Sequence, residues 1–190
     1  MATVLLSLHG FHSSPGSLKA QQMNSYLAEH FPEIIFICPQ LPCLPKQMWE
    51  VIESVFEQHS GAEIAIMGSS LGGYLAAKAS EQYGVKIVLI NPAVFPSLLL
   101  QQYAGPQTHP YTQENYQIDE NYLQQLTVLD TQALRHPEKC WLLLQKGDEV
   151  LNYQESFAKY QHCKITCEEG GDHSFIGFER FLPDIIAFLF

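Results

Sequence analysis

The stretch that most constrains this chain is residues 63–73, EIAIMGSSLGG, an apolar run that ends in Gly68-Ser69-Ser70-Leu71-Gly72. A glycine two positions before and two after a serine, at the end of such a run, marks a sharp strand-to-helix turn that pushes the central hydroxyl outward. The central residue of that turn sits in strained backbone, and its glycine neighbours let strand and helix approach closely. Ser70 is that centre, because Ser69 would need glycines at Met67 and Leu71. A Gly/Ser-rich turn without chemistry has the same local pattern, so the choice rests on what the rest of the chain supplies.

Apolar runs and helical stretches alternate on both sides of the turn. Residues 3–8 (TVLLSL) end at His9-Gly10 and have the leucine-rich, β-branched character of a strand buried on both faces. After the loop 9–17 (HGFHSSPGS), Leu18, Met23, Leu27 and Phe31 recur at near-helical spacing, with Ser17 as the expected N-cap. Residues 34–38 read as a second strand, and the proline-rich PQLPCLP after it forces a loop. Pro45 then opens a helix whose apolar face is Met48, Trp49, Ile52, Val55 and Phe56. Residues 63–67 form the third strand, the alanine-rich 71–83 a helix ended by Gly84, and 85–90 (VKIVLI) the fourth strand.

From residue 91 to about 127 the alternation stops, in a stretch rich in proline, glutamine and tyrosine. So long a weakly patterned insertion is expected to be irregular and to form a small cap or one wall of a pocket, a solvated excursion being the competing reading. The pattern resumes with a strand at 140–145 (CWLLLQ), a helix at 153–160, a strand at 162–167 and a final helix at 175–190 broken at Pro183. The expected fold is a single α/β domain over residues 1–190. Six largely parallel strands, in the order 2-1-3-4-5-6 counted along the chain, form a three-layer sheet with helices on both faces.

The formal charge of −10 arises from 20 acidic residues against 10 Lys plus Arg, without a basic cluster to follow a phosphate backbone. Nucleic acid is therefore a poor partner. Cys38, Cys43, Cys140, Cys163 and Cys167 show no regular spacing and read as free thiols of a reducing cytoplasm. The first residues run directly into a strand without the features of a leader, and the most apolar stretch, 185–190, is too short for a membrane span. Cys163 and Cys167 lack a second pair at zinc spacing, and nucleotide-binding glycine motifs are missing, so neither metal nor cofactor is expected.

A serine hydroxyl needs a base within hydrogen-bond reach and a third group to orient that base. In an open α/β sheet such groups belong in loops at the carboxyl ends of strands. Two loops qualify: Gly147-Asp148 after the fifth strand and Gly171-Asp172-His173 after the sixth. His173 is the candidate base and Asp148 its acid, with Glu149 a rival and Asp172 a poorer one. Of the remaining histidines, His9 and His12 are candidates for shaping the first loop, while His30, His59, His109, His136 and His162 read as surface residues. The order Ser70, Asp148, His173 is that of the α/β-hydrolases. An acyl-transfer site also needs oxyanion donors. The Leu71 N–H supplies one, and the Phe11 N–H, in the loop after the first strand, is the expected second.

The chain as a whole resembles the small bacterial YqiA/YcfP-type esterases of the α/β-hydrolase superfamily. The segments LHGFHSSPGSLKA, MGSSLGGYLA, INPAVFP, HPYT, QKGDEVLNY and GGDHSFIGFE carry the resemblance, in that order, almost end to end. It implies a compact serine hydrolase acting on small-molecule carboxylic esters or thioesters, with Ser70, Asp148 and His173 at the triad positions. His12, Phe95 and Asn152 stand where the family pattern has Asn, Arg and Asp, and Phe95 offers no cation to an anionic substrate. Within the insertion, Phe95, Leu99 and Tyr103 are candidate substrate-binding residues for an acyl chain, though core packing explains such residues equally. The alternative is a non-catalytic interaction protein that retains the hydrolase fold, and a peptidase or another acyl transferase would use the same triad.

Overall fold

The computed structural model describes residues 2–190. The first half consists of β1 (Thr3–Leu8), α1 (Leu18–His30), β2 (Ile34–Ile37), α2 (Pro45–Gln58), β3 (Glu63–Ser69), α3 (Leu71–Tyr83) and β4 (Ile87–Ile90). The insertion follows as α4 (Pro96–Gln101), β5 (Gly105–Thr108), β6 (Asn115–Ile118) and α5 (Glu120–Val128). The last part is β7 (Cys140–Gln145), α6 (Tyr153–Lys159), β8 (Lys164–Glu168) and α7 (Leu182–Leu189).

Six strands form one sheet in the order β2-β1-β3-β4-β7-β8, every neighbouring pair parallel. With the β5–β6 hairpin set aside, this is the expected order. Side chains alternate across the strands. Leu6, Leu8, Ile66, Leu142 and Leu144 therefore face one core, shared with α2, α3 and the insertion. Leu5, Met67, Val88 and Leu143 face the other, shared with α1 and α7. Helix α3 lies close to the strands where glycines leave room for it. A Cβ on Gly72 would overlap the Leu8 carbonyl, and one on Gly68 would overlap the Gly72 carbonyl.

The insertion departs from expectation. It is ordered rather than irregular, an antiparallel hairpin between two short helices. Leu100, Ile118, Tyr122 and Leu126 are all buried and continuous with the core on the α3 side. Each of the three aliphatic side chains so buried contributes about 1.5–3 kcal/mol, enough together to hold the insertion as part of the body. Asp119 caps α5 by accepting the Tyr122 N–H at 2.9 Å, and the Tyr74 hydroxyl donates to the Leu126 carbonyl at 2.6 Å. Helices of six and nine residues are too short to show a periodicity in sequence.

Smaller differences have local causes. Ser17 occupies the N-cap position of α1 without a side-chain capping bond. The expected last helix is a 3-10 turn at Phe178–Phe181 followed by α7, with Pro183 in its first turn where a missing N–H costs nothing. All five cysteines are free thiols. No helix among the described residues is long and apolar enough to cross a membrane.

Candidate active site

Ser70 links β3 to α3 at φ 56° and ψ −122°, backbone that a non-glycine residue adopts only when its surroundings hold it there. Those surroundings are visible. Its N–H donates to the Ile90 carbonyl at 3.1 Å, and its carbonyl accepts from Gly73 and Ala93, each at 3.0 Å. The turn thus spans β3, β4 and the first turn of α3, and the hydroxyl projects at the carboxyl end of the sheet.

His173 comes to it from the loop after β8. Its Nε2 lies 3.1 Å from Ser70 Oγ, and its Nδ1 lies 2.8 Å from Asp148 Oδ2. With Nδ1–H donating to the carboxylate, Nε2 is left as the acceptor that can take the serine proton. The Asp148 side chain is only 2% exposed. Its other oxygen, Oδ1, accepts the N–H groups of Val150 and Leu151 at 2.9 and 2.8 Å, which fixes the carboxylate plane.

The rival acids have other partners. Glu149 Oε2 accepts the His173 backbone N–H at 3.0 Å, and Asp172 Oδ1 accepts the Ser174 hydroxyl at 2.6 Å. Three further residues hold the histidine loop. Asn91 Nδ2 donates to the Asp172 carbonyl, Gln145 Oε1 accepts from the N–H groups of Asp172 and Ile176, and Lys19 Nζ donates to the Ser174 carbonyl at 2.8 Å. Burial lowers the Lys19 pKa, against the pull of Asp172 and Asp148. None of these three was singled out from sequence. Asn91 follows β4 directly and Gln145 ends the apolar run of β7, so both stand at strand carboxyl ends where site residues collect.

The loop after β1 passes over the serine. A Cβ on Gly10 would stand 3.1 Å from Ser70 Cβ, so only glycine fits there without displacement. Next to it the Phe11 N–H, and at the start of α3 the Leu71 N–H, have no hydrogen-bond partner among the described residues. Both amides adjoin the serine in the chain or the fold, Leu71 as the next residue and Phe11 as the neighbour of Gly10.

His9 shapes this loop, as expected. Its Nε2 accepts the Leu41 N–H at 3.0 Å and its Nδ1 lies 3.0 Å from the Gly10 carbonyl, an arrangement that needs a neutral imidazole. Burial lowers its pKa accordingly. His12 does likewise, with its Nε2 2.7 Å from the Tyr116 hydroxyl. His109, read from sequence as a surface residue, is instead 4% exposed, its Nδ1 accepting the N–H groups of Tyr111 and Thr112. The hairpin that buries it was not visible in the chain.

A cleft of about 430 Å³ opens beside the site between the start of α4 and the loop after Asp148. Phe95 and Leu99 line it together with Leu98, Val150 and Leu151. Tyr103 is elsewhere, its ring 5.9 Å from that of Phe11. A larger cavity of about 660 Å³ lies at the other end of the sheet, near Ile64 and Val85, away from the strand carboxyl ends. No group of three or more His, Cys, Asp or Glu positioned to hold a metal occurs among the described residues.

Solved structures share this architecture at low identity. A protein of Agrobacterium vitis S4 matches at TM-score 0.78 and 16% identity, over 100% of this chain and 88% of its own. Alpha/beta hydrolase domain-containing protein 10 from mouse matches at 0.76 and 17%, over 98% and 89%. Est1E from Butyrivibrio proteoclasticus matches at 0.71 and 15%, over 98% and 89%. The chain therefore has the α/β-hydrolase architecture, and, since the family model matches residues 4–190, it belongs to the uncharacterised protein family UPF0227.

Proposed function

We propose that the protein hydrolyses carboxylic esters or thioesters of small molecules by two-step acyl transfer. The observation that carries this reading is the His173 imidazole bonded at both nitrogens, to Ser70 Oγ and to Asp148 Oδ2. Ser70 Oγ attacks the substrate carbonyl while its proton passes to His173 Nε2, and Asp148 stabilises the imidazolium. The tetrahedral oxyanion is held by the Phe11 and Leu71 N–H groups, the latter helped by the N-terminus of α3. His173 returns the proton to the leaving oxygen or sulfur, which departs and leaves Ser70 acylated. Water then attacks with His173 as base, releasing the acid and restoring the serine. The chemistry requires neither metal nor cofactor.

Support also comes from two proteins of the same architecture, a Rhodothermus marinus protein whose matching part is an esterase domain and Est1E, which holds ferulic acid in one of its structures. The test is labelling by a fluorophosphonate probe together with hydrolysis of p-nitrophenyl and thioester substrates. Ser70→Ala should abolish labelling, and Ser70→Ala or His173→Ala should lower kcat by about 10⁴-fold or more. Equal labelling of wild type and Ser70→Ala sinks the assignment.

A further inference from the structure

We propose that Tyr116 is a positioning residue for the oxyanion loop: its hydroxyl, carried on the second strand of the insertion hairpin, braces His12 and through it the Phe11 amide beside Ser70. The inference rests on the serine-hydrolase reading, since only there does the Phe11 N–H meet a developing negative charge.

Three observations converge on this. His12, the residue after Phe11, has φ 52°, a left-handed conformation that persists in a non-glycine residue only where neighbours over-determine it. Its ring stacks on Phe11, with centroids 4.0 Å apart and planes within 18°. Its outer nitrogen meets the Tyr116 hydroxyl at 2.7 Å, a contact between residues 104 apart in the chain. Burial and the nearby His109 lower the His12 pKa, which favours the neutral ring as acceptor of the Tyr116 O–H.

The surroundings are closely packed. His109 presents its edge to His12 at 5.6 Å and is itself fixed by backbone donors of its own turn. The space left between His9, Phe11, His12, Leu71 and Tyr116 is about 10 Å³, at the lower limit for a single water. The Phe11 amide therefore lies between two anchors, His9 bonded to Leu41 in the body and His12 bonded to Tyr116 in the insertion. Oxyanion donors act over 2.7–3.1 Å, so a small displacement of the loop weakens them, and the loss falls on the transition state rather than on bound substrate.

Tyr116→Phe deletes the hydroxyl alone. We expect kcat on p-nitrophenyl acetate to fall about tenfold with KM within about twofold, a fraction of the roughly 10²–10³-fold cost of losing one oxyanion donor outright. Amide exchange in residues 9–13, followed by mass spectrometry, should accelerate while the thermal midpoint stays near that of wild type. In a His12→Gly background, where the left-handed backbone is relaxed and the brace already gone, Tyr116→Phe should add no further loss. The inference is overturned if kcat stays within twofold, if KM rises at constant kcat, or if the two changes are additive. Absence of ester turnover and serine labelling in wild type would instead defeat the serine-hydrolase reading, and unchanged exchange in residues 9–13 would then overturn the brace on its own.

Discussion

Asn91 and His173 meet across the carboxyl end of the sheet, the Asn91 side-chain amide donating to the His173 carbonyl at 3.4 Å and to the Asp172 carbonyl at 3.0 Å. Its oxygen accepts the Gln145 N–H at 3.0 Å, so one buried side chain ties β4, β7 and the histidine loop together. Asn91 is 2% exposed and has φ 39°, a conformation that asparagine tolerates better than most residues.

Asn91→Ala is expected to destabilise the fold and to mistune the site. A buried polar group left without its partner costs about 1–3 kcal/mol, and here the Gln145 N–H loses its acceptor. Urea unfolding should show a loss of about 2 kcal/mol or more. Ester turnover should fall by more than about tenfold in protein that remains folded, because the base is then less well placed.

Gly72→Ala should be far more damaging than its size suggests. The added methyl overlaps the Leu8 carbonyl of β1, backbone that cannot rotate away, so α3 must move off the sheet and carry Ser70 with it. Overpacking typically costs about 1–3 kcal/mol, and a clash with backbone belongs at or above the upper end. Thermal unfolding and phosphonate labelling should decline together; a variant of unchanged midpoint would contradict the close approach of α3 and β1.

Stability should fall on mild acidification, and His9 is a main reason. Burial holds its pKa below the ordinary 6.5, so the folded chain takes up that proton at lower pH than the unfolded chain. The contribution of neutral His9 is whole above the unfolded value and is lost as pH falls through the folded one. His12, lowered by burial and by His109, acts with the same sign. Unfolding free energies measured at about pH 7.5 and about pH 5 should differ more for wild type than for His9→Asn, in which this group no longer titrates.

Phe95 should govern acyl length. It is 50% exposed on the wall of the cleft beside the site, apolar surface available to a chain. Covering an aromatic side chain contributes about 1.5–3 kcal/mol, so Phe95→Ala should raise KM roughly tenfold for octanoyl esters and much less for acetyl esters. A uniform change across chain lengths would remove Phe95 from the binding wall.

Much of this was legible before the fold was seen. The strand order follows from the alternation of apolar runs and helical faces, and the strained turn at Ser70 from two glycines. Asp148 and His173 became candidates because loops after strands are where such sheets collect polar groups, but that placement alone leaves Glu149 and Asp172 as rivals to Asp148. The insertion was not legible. Its helices are short, and α5 is held both by α4 within the insertion and by distant partners, α2 and the Tyr74 hydroxyl of α3, that no local pattern announces.

The sequence by itself determined the parallel α/β scaffold, the turn that exposes Ser70 and the two loops from which an acid and a base can reach it, because these are properties of local pattern and of strand ends. Only the tertiary structure decided that Asp148 rather than Glu149 faces the imidazole, that Asn91 and Gln145 hold the histidine loop, and that His12 meets Tyr116. Each of these is a contact of a few ångströms between residues distant in the chain, and such contacts follow from how buried polar groups find partners once the core has closed.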